Sequence, residues 1–322
     1  MTRAWRAWVA LWDRREDATA LALVRIAVAL VLLCDFTLVW RLDLAAALWA
    51  APPDGYAAPY DGWAASWLGR GPGAADALWL AATIALAAIA VGALTPVACA
   101  VFLLVSAQLA HTGPDGDRGI DMMLRLAVGI LALSRCNARW SVDAAVLRRL
   151  GRPLPREVPA WPRYLLMAQL VWIYWSAGMN KSGAEWGPLG GFAALGNILT
   201  DPHFARFDPG WITAAHPLLR LATAATMAFE LTAPIYLVLH HFAATPERGG
   251  RLRRLASRLH LRWLWLGTGA AFHLGIALTM TMGIFPWGML ALYPALLLPR
   301  DLRRLGAEPS ANSARVTPRP RS

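Results

Sequence analysis

Ionisable side chains lie within or beside long apolar stretches of this chain. These residues are Arg25, Asp35, Asp121, Arg125, Glu230 and His273, with Lys181 and Arg220 near the ends of such stretches. A charge at the centre of a membrane helix costs about 2.5–3.5 kcal/mol on insertion scales, so these residues are expected to face a bundle interior and find partners. They either form structural salt bridges that hold helices in register or belong to a functional site.

Lys181 is the strongest candidate for chemistry. It is the only lysine in the chain, whereas the other thirty of the 31 basic residues are arginines. An arginine would serve wherever only a positive charge is needed, but a lysine can lose its proton when it is desolvated. We therefore predict that Lys181 is a base or a nucleophile. The chance survival of one lysine codon is the alternative.

The helix that leads to Lys181 is expected to carry the rest of the site. One stripe of this helix contains Gln169, Ile173, Ser176 and Asn180, and the neighbouring stripe contains Tyr174, Gly178 and Lys181. The small residues from Ser176 to Gly178 would let another helix or a flat ligand approach closely. Such residues also serve simple helix packing, and that alternative stays open.

The elements that position these residues are predicted to be membrane-spanning helices. The chain is 57% hydrophobic and 16% charged, against about 25% charged residues in a typical soluble protein. A spanning helix needs about 20 apolar residues, somewhat fewer where protein screens its end. Eight segments are predicted to span the membrane: Ala20–Trp40, Ala77–Leu94, Val97–His111, Ile120–Ser134, Pro162–Asn180, Pro217–His240, Arg262–Met282 and Phe285–Leu298.

The distribution of arginine predicts the orientation. Four arginines precede the first segment, seven lie between 135 and 163, six between 248 and 262, and six follow from 300. With eight spans and a cytoplasmic N-terminus, all four groups fall inside, as the positive-inside rule requires. The sequence therefore predicts an all-α polytopic integral membrane helical bundle with both termini cytoplasmic, in the inner (plasma) membrane. The formal net charge of +11 is explained by these loops, so we expect no nucleic-acid partner.

The two ends of the chain are expected to differ from the bundle. Trp5, Trp8, Val9 and Trp12 recur at helical spacing among arginines, which predicts an interfacial amphipathic helix over residues 1–16. A loose basic terminus is the alternative. The transmembrane domain is predicted over 17–300 and a disordered cytoplasmic tail over 301–322, because that tail lacks apolar residues. Cys34, Cys99 and Cys136 have no spacing that suits a metal site, so no metal is expected.

The predicted topology assigns a depth to each polar residue. Asp35, Asp121, Lys181 and Arg220 fall toward the outer face, where the loop Thr112–Gly119 adds further charges. This arrangement predicts an outward-facing polar pocket with both signs of charge. Glu230 and His273 are expected near mid-membrane, where they could meet, and Arg25 could extend to the inner surface.

Three stretches resemble the membrane domain shared by vitamin K-dependent γ-carboxylases and the bacterial HTTM (horizontally transferred transmembrane) proteins. The stretches are Asn137–Asp143 (NARWSVD), Gln169–Trp186 (QLVWIYWSAGMNKSGAEW) and His273–Pro286 (HLGIALTMTMGIFP). Their order and the helix layout match over roughly Ala20 to Pro299. The resemblance implies that Lys181, in Ala177–Lys181, is the base that deprotonates reduced vitamin K, at a site open to the outer side.

Two features depart from the carboxylase pattern. The region Asp117–Asp121 has no histidine at the expected spacing, and His111 lies too far upstream. The large extramembrane domain that docks a substrate propeptide in the carboxylases has no counterpart in this chain. Carboxylation of a protein glutamate is therefore not the expected reaction, even with a shared fold.

The resulting hypothesis is an enzyme that acts on a reduced quinone of the vitamin K type at the outer face, carboxylase-like or quinone-modifying. The predicted catalytic residues are Lys181, Asn180, Asp121 and His273, and the predicted cofactor-binding residues are Tyr174, Gly178, Trp186 and Glu230. A secreted peptide or protein at the outer face is the expected macromolecular partner, besides the lipid bilayer. The alternative is a non-enzymatic membrane partner in the maturation or export of a secreted peptide or protein. A transporter is the third candidate, supported only by the interrupted helix pair at Gly283–Pro286.

Overall fold

The computed structural model describes residues 2–58 and 62–302, and this part of the chain is mostly helical. The α-helices are α1 (Arg3–Trp12), α2 (Thr19–Arg41), α3 (Ala45–Trp49), α4 (Ala65–Leu68), α5 (Pro72–Val91), α6 (Thr95–Thr112), α7 (Gly119–Ala132), α8 (Val142–Arg149), α9 (Trp161–Asn180), α10 (Ala194–Thr200), α11 (Ile212–Leu231), α12 (Ala233–Ala244), α13 (Arg251–Arg258), α14 (Leu261–Thr279) and α15 (Phe285–Ala291). Short 3₁₀ turns span Pro114–Gly116, Ala184–Trp186, Pro188–Gly190, Pro209–Trp211, Tyr293–Leu296 and Pro299–Leu302. Two three-residue strands, β1 (Arg15–Asp17) and β2 (Glu157–Pro159), pair antiparallel, with Glu16 opposite Val158.

Three helices are long and apolar enough to cross a membrane, namely α2, α5 and α6. A fourth span is present if the bent segment Pro209–Ala244 crosses as one unit. The protein is thus a helical membrane-type protein. The predicted total of eight spans and the cytoplasmic position of the termini stay predictions, because α7, α9, α14 and α15 are helical but do not meet the same length and apolarity criteria.

Helix α2 lies at the centre of the bundle. It packs against α5, α7, α9 and α15 and contributes a row of fully buried aliphatic side chains to the main hydrophobic core. Several helices begin with a proline in the first turn, as at Pro72, Pro96, Pro162 and Pro286. Proline suits this position because its missing N–H would lack an intrahelical partner there anyway. The predicted starts of α6, α9 and α15 agree with the observed ones to within two residues, whereas α5 begins at Pro72 and not at the predicted Ala77.

The predicted single helix Pro217–His240 is wrong in its continuity. The chain forms α11 and then α12, which meet at Thr232 with a bend of 62°. Pro234 stands in the first turn of α12, where its ring prevents an α11 hydrogen bond from continuing through. The Thr232 hydroxyl also donates to the carbonyl of Ala228, four residues earlier. The break matters because it places Glu230 in the last turn of α11.

The last predicted span, Phe285–Leu298, is also interrupted. Helix α15 ends at Ala291, and a 3₁₀ turn with Pro294 in its first turn follows over Tyr293–Leu296. This turn packs against α2 and α9, so the interruption is enclosed by protein. Non-helical backbone at membrane depth is tolerated where protein surrounds it.

Loops gather at two opposite groups of helix ends. One group, which we call the Glu16 end, joins the strand pair β1–β2 to the start of α9 and the 3₁₀ turn after α15. There Arg163 is 1% exposed and forms a bidentate salt bridge with Glu16, with N–O distances of 2.5 and 2.8 Å. Arg163 also donates to the carbonyls of Ala295 and Leu297, each at 3.1 Å. These are the loops that the arginine count predicts to be cytoplasmic.

The stretch Asn137–Asp143 (NARWSVD) lies at the same Glu16 end of the bundle and stabilises it. The carboxylate of Asp143 accepts hydrogen bonds from the backbone N–H groups of Leu94 and Thr95 at 2.7 and 3.0 Å. Leu94 adopts a left-handed conformation and its own side chain cannot cap α6, so Asp143 acts as the cap from 48 residues away. Arg25 does not reach the surface as predicted. It is fully buried and donates to the carbonyl of Trp140 at 2.6 Å.

The other group of loops, which we call the Arg118 end, joins the end of α2 to the start of α7 and to the turn between α14 and α15. Arg118 contacts Asp35, and a Cβ at Gly283 would lie 3.3 Å from the Arg118 guanidinium. Thr281 in the same turn bonds the carbonyl of Phe204. These loops are the ones predicted to lie outside.

The chain termini differ in how far they can be compared with the predictions. Residues 3–12 form a helix, as expected, and Trp5 and Trp8 are each 52% exposed. The location of this helix at the membrane interface stays a prediction. At the other terminus, Asp301 and Leu302 belong to a 3₁₀ turn, and Asp301 pairs with Arg262 at 2.9 Å. The rest of the predicted tail, 303–322, lies outside the described residues.

Candidate functional site

Helix α9 ends where the predicted base begins. The backbone N–H of Lys181 bonds the carbonyl of Gly178 at 3.3 Å, which tightens the last turn, and Lys181 then leaves the helical conformation. Asn180 is exposed, and its amide donates to the carbonyl of Ser176 at 2.8 Å. Asn180 thus satisfies a carbonyl that would otherwise lack a partner at the helix end. The predicted catalytic role of Asn180 has no support in these contacts and stays a prediction.

Lys181 and Glu230 form the central pair of the candidate site. The Lys181 Nζ atom lies 2.7 Å from Oε1 and 2.5 Å from Oε2 of Glu230. The side chain of Glu230 is only 3% exposed, whereas that of Lys181 is 21% exposed. The pair therefore combines an enclosed carboxylate with a lysine side chain that is only partly enclosed.

The loop after α9 covers part of Lys181. The 3₁₀ turn Ala184–Trp186 returns the chain toward the helix end, and Nζ of Lys181 lies 5.1 Å from the centroid of the Trp186 ring. This distance is within the range of a cation–π contact. Trp186 was predicted to bind a cofactor, and its position beside Lys181 is compatible with that role.

Gly178 allows α9 and α11 to approach closely enough for this pair to form. A Cβ at Gly178 would lie 3.0 Å from the Glu230 Cβ and 3.2 Å from the backbone N of Leu231. Gly178 is buried and lies on the α9 face that contacts α11. The closeness predicted from the small residues is thus present, but a helix occupies the space beside Gly178 and not a ligand.

A second group of polar residues lies around Tyr174, about one helical turn before Gly178. The hydroxyl of Tyr174 is 2.7 Å from Nε2 of His273 and 3.0 Å from the hydroxyl of Tyr293. Tyr174 is 2% exposed and His273 is fully buried, and Nδ1 of His273 has no hydrogen-bond partner among the described residues. The chain of hydroxyls therefore ends at a buried ring nitrogen that could accept or donate one further bond.

Aromatic rings enclose this chain of hydroxyls. Tyr174 contacts Phe229 edge to face with ring centroids 4.7 Å apart, and Phe229 and Trp265 lie 4.6 Å apart. Gly269 leaves space for the Tyr293 hydroxyl, since a Cβ at position 269 would lie 2.2 Å from it. Tyr293, Phe229 and Trp265 are not among the site residues that the sequence predicts. The spacing along one helix predicts neighbours within that helix only, whereas these residues come from other helices.

His273 and Glu230 do not pair in the structure. His273 bonds Tyr174, and both carboxylate oxygens of Glu230 bond Lys181. The predicted meeting of Glu230 and His273 is therefore replaced by two separate contacts, both of which include a residue of α9.

Asp121 belongs to another cluster, at the start of α7. Arg118 donates from Nε to Asp121 at 2.8 Å and from a terminal nitrogen to Asp35 at 2.6 Å. The Asp121 carboxylate raises the pKa of Arg118 above its usual value and Asp35 adds to this effect, although burial acts in the opposite direction. Asp117 pairs with Arg125 in a bidentate contact of 2.5 and 2.7 Å. All these charges have partners, as expected in a partly dry region.

This cluster lines a cavity of about 260 Å³. Apolar side chains from α2, α3 and α6 form most of its wall, among them Phe36, Trp49 and Phe102. Lys181 is not among the residues that line it. The predicted single polar pocket is therefore replaced by two separate groups of polar residues, one around Asp121 and one around Lys181. Arg220 belongs to neither, because its Nε donates to the carbonyl of Gly191 at 2.5 Å.

Neither group contains a metal-binding arrangement in the part of the chain that the structure describes. No cluster of three or more His, Cys, Asp or Glu side chains could hold a metal ion within residues 2–58 and 62–302. The named side chains themselves offer proton transfer at Lys181 and hydrogen bonding at Tyr174 and His273.

A bundle of apolar helices that encloses a partly buried lysine–glutamate pair defines a helical membrane protein with a polar site. The family model of the HTTM domain matches residues 13–245, which is more than half of the chain. The chain belongs to the HTTM domain family. No curated protein and no solved structure matches it. The matched region includes both members of the Lys181–Glu230 pair, whereas His273 lies beyond it.

Proposed function

We propose that this HTTM-family protein is a membrane enzyme that removes a proton from a reduced, lipid-soluble quinone, with Lys181 as the base. The contact between Lys181 and Glu230 carries this proposal. A structural salt bridge can be fully enclosed, but here the Lys181 side chain is 21% exposed while that of Glu230 is 3% exposed. This asymmetry supports access of a substrate to Lys181 and not to Glu230.

Glu230 would serve as the holder of the proton that Lys181 must lose. A protonated lysine cannot act as a base, so its proton has to move to a nearby acceptor. Two carboxylate oxygens of Glu230, at 2.5 and 2.7 Å from the Lys181 Nζ atom, provide one. The neutral amine then accepts one proton from a substrate hydroxyl, becomes an ammonium again and leaves a substrate oxyanion. The pair then holds one proton more than at rest, which the ammonium would release to water before the next turnover.

The surroundings of Lys181 fit a planar ring only on the exposed side of the amine. Trp186 supplies an aromatic ring beside the amine, with its centroid 5.1 Å from Nζ. The interior beside Gly178 is filled by α11, and the region around Tyr174 is filled by other aromatic rings. A reduced quinone would therefore lie against Trp186, supplying the hydroxyl that loses its proton and the electrons for any later oxidation. Lys181 and Trp186 would hold it, and Glu230 would keep the amine in place.

Tyr174 and His273 would act as positioning residues beneath this site. Tyr174 lies seven residues before Lys181, and its hydroxyl is held by His273 and Tyr293. This anchoring would fix the rotation of α9, and with it the direction in which Lys181 points. A direct catalytic role for His273 would need an opening that reaches its buried ring.

The membrane placement is part of the proposal. The Glu16 end would face the cytoplasm and the Arg118 end the outside of the inner (plasma) membrane, with about eight crossings. The excess of arginine at the Glu16 end supports this orientation, because basic loops are retained inside. The Lys181 site would then open outward, where a secreted peptide or protein could be the final acceptor.

The test is a turnover assay of the purified full chain in nanodiscs supplied with reduced vitamin K or menaquinol and air. Mass spectrometry would follow the conversion of the reduced quinone to its epoxide, for the wild type, Lys181→Ala and Lys181→Arg. We expect product only from the wild type, because the guanidinium of Lys181→Arg does not lose its proton. Arg118→Lys is the matched control. It exchanges arginine and lysine in the Asp121 cluster instead of at position 181, and it should retain turnover.

The other outcomes decide against the enzyme. Equal product from the wild type and folded Lys181→Arg would rule out Lys181 as the base. No product from any folded protein would favour the second function, a non-enzymatic partner in the maturation or export of a secreted peptide. The Lys181–Glu230 pair would then serve only to join α9 and α11, and soluble proteins that copurify with the chain would be identified next.

A further inference from the structure

Helix α13 has an exposed apolar stripe beside exposed arginines. Leu252, Leu255 and Leu259 are 73%, 51% and 54% exposed, and they recur at the three- and four-residue spacing that forms one face of a helix. Arginine occupies 251, 254 and 258, also at three- and four-residue spacing and also exposed. The proposed catalytic chemistry uses none of these residues.

The orientation of α13 is fixed by its third face. Arg253 and Ala256 are partly covered, and Arg253 donates from one nitrogen to the carbonyls of Phe242 and Thr245 at 2.7 and 2.8 Å. Its guanidinium also lies 4.7 Å from the centroid of the Phe242 ring. With about 100° of rotation per residue, the leucine stripe lies roughly 100° from this anchored face. The arginine stripe lies roughly 100° beyond the leucines, so the leucines face sideways and the arginines face away from the bundle.

The position of α13 relative to the membrane surface is indicated by its neighbour α14. The chain turns between the two helices at His260, which has a left-handed conformation, so α13 is not an extension of α14. Trp263, in the first turn of α14, is 48% exposed and lies four residues after Leu259. Tryptophan is enriched where a membrane meets water, which places the leucine stripe beside that boundary.

Helix α8 repeats the pattern at the same end of the bundle. Val142, Val146 and Leu150 recur at four-residue spacing and are all exposed, with Arg148 and Arg149 in the last turn. The Asp143 contact with the start of α6 attaches α8 to the Glu16 end. Helix α13 belongs to this end too, since α14 begins there with the Arg262–Asp301 pair.

We infer that α13, supported by α8, is a binding surface for anionic phospholipids at the Glu16 end of the protein. The leucines insert between acyl chains while Arg251, Arg254 and Arg258 contact lipid phosphates. Charge complementarity favours this partner, because a basic helix with a lateral apolar stripe matches a negatively charged bilayer surface. An acidic protein in the aqueous phase would contact the arginines and not the leucines, which face sideways at the level of the membrane.

The first test measures which face of α13 enters the bilayer. A spin label is attached at Leu255→Cys or, on the opposite face, at Ser257→Cys, in a full-length Cys34→Ala background that removes the exposed native cysteine. Nanodiscs contain phosphatidylcholine with or without phosphatidylglycerol. We expect the label at 255 to be more accessible to oxygen than to a water-soluble nickel complex, and the label at 257 to show the reverse. A label at 255 that is more accessible to nickel in both lipids would overturn the inference.

The second test measures the lipid class. Full-length protein is reconstituted in mixed nanodiscs, and the lipids that remain bound are counted by mass spectrometry. Phosphatidylglycerol should be enriched around the wild type and around the triple Arg→Lys variant at 251, 254 and 258. It should fall toward the bulk ratio for the triple Arg→Gln variant. Arg253 is kept in both because it anchors the helix, and a thermal unfolding scan checks that each variant is folded.

Two outcomes contradict the proposal. Equal enrichment in the Arg→Gln and wild-type proteins would show that these arginines do not select the lipid. A label at 255 that is shielded from both oxygen and nickel, with spin–spin broadening that increases with protein concentration, would mean that a second copy of the chain covers the stripe. If the Arg→Gln variant does not fold, the comparison of label depth with and without phosphatidylglycerol decides, because it uses the native arginines.

Discussion

The Nζ atom of Lys181 lies 2.5 and 2.7 Å from the two carboxylate oxygens of Glu230, and this contact joins the last turn of α9 to the last turn of α11. The two residues are separated by 49 positions in the chain. Gly178 permits their approach, and the break at Thr232 ends α11 beside them. The only lysine of the protein is therefore held by a carboxylate that is itself almost fully buried.

Removing one member of this pair should destabilise the protein more than removing both. Glu230→Leu leaves the Lys181 charge without a partner, and Lys181→Met leaves a buried carboxylate. We expect each single change to cost about 2–4 kcal/mol, with the larger loss for Lys181→Met because Glu230 is the more enclosed. The double variant should recover part of this loss. Thermal unfolding of all four proteins in the same detergent measures it, and additive losses in the double variant would argue against a direct interaction.

A methyl group at Gly178 should separate α9 from α11. The new Cβ would lie 3.0 Å from the Glu230 Cβ and close to backbone, so we expect Gly178→Ala to destabilise the protein by about 1–3 kcal/mol and to lower turnover. Gly275→Ala is the matched control, because that helical glycine of α14 has open space where a Cβ would stand. The control should be neutral or slightly stabilising, since alanine favours helix by about 1 kcal/mol over glycine. Equal unfolding temperatures for the two variants would contradict the close contact.

Loss of the Tyr174 hydroxyl should affect stability and orientation together. Tyr174→Phe leaves Nε2 of His273 and the hydroxyl of Tyr293 without this partner in a buried region, at a cost of about 1–3 kcal/mol. A positioning role predicts that kcat falls while KM for the quinone changes little, because Tyr174 is 2% exposed and its hydroxyl bonds His273 and Tyr293. Steady-state kinetics in nanodiscs separates the two constants. A large rise in KM alone would instead mean that Tyr174 contacts the substrate.

Asp143 should make the stability of the Glu16 end depend on pH. Burial acts to raise the pKa of Asp143, but hydrogen bonds from the Asn137 amide, from the N–H and hydroxyl of Thr95 and from the N–H of Leu94 outweigh it and lower the pKa below its ordinary value. A group with a lowered pKa in the folded state contributes stability above its unfolded pKa of about 3.9, and the contribution is lost as the pH falls through the folded pKa.

The corresponding experiment compares the wild type with Asp143→Asn. At neutral pH the variant should be less stable by about 1–2 kcal/mol, because an uncharged amide caps α6 less well. The difference between the two proteins should shrink as the pH is lowered below about 4. Hydrogen exchange of the first turn of α6 across this pH range provides the measurement. A difference that stays constant with pH would show that the charge of Asp143 does not stabilise the cap.

The buried pair of Arg163 and Glu16 tests the packing of the Glu16 end. Arg163 is 1% exposed and bonds two backbone carbonyls besides Glu16. Arg163→Met should cost about 3–5 kcal/mol, because the Glu16 carboxylate stays buried without its partner. Arg125→Met is the matched comparison, since its pair with Asp117 is more exposed and the loss should be smaller. Equal losses would mean that burial does not set the strength of these pairs.

The sequence predicts the helices well where the chain is continuous and apolar. The starts of α6, α9 and α15 are predicted to within two residues, and the apolar length predicts α2 almost to the residue. The start of α5 at Pro72 lies before the predicted Ala77. It also indicates Lys181 as the residue of interest, and the family match agrees with the stretches that resemble HTTM proteins. The distribution of arginine divides the loops into the same two groups that the contacts show.

The predictions fail where an element depends on a partner that is distant in the chain. The cap of α6 comes from Asp143, 48 residues away, so no local N-cap residue could indicate it. The break at Thr232 was missed because the apolar pattern continues across it. The sequence predicts Asp121 in one pocket with Lys181. In the structure Arg118 binds both Asp121 and Asp35, at a separate cavity.

The sequence by itself determined that the chain forms apolar helices with basic loops, because apolar length and arginine placement are local properties that act through the solvent and the membrane. It also determined which residue types could carry chemistry. Only the tertiary structure decided which of them meet. Glu230 pairs with Lys181 and not with His273, and His273 pairs with Tyr174, because the crossing of α9, α11 and α14 fixes which helix faces touch. In a low-dielectric interior each charge or hydroxyl must find its partner across such a crossing, and the chain order does not specify that geometry.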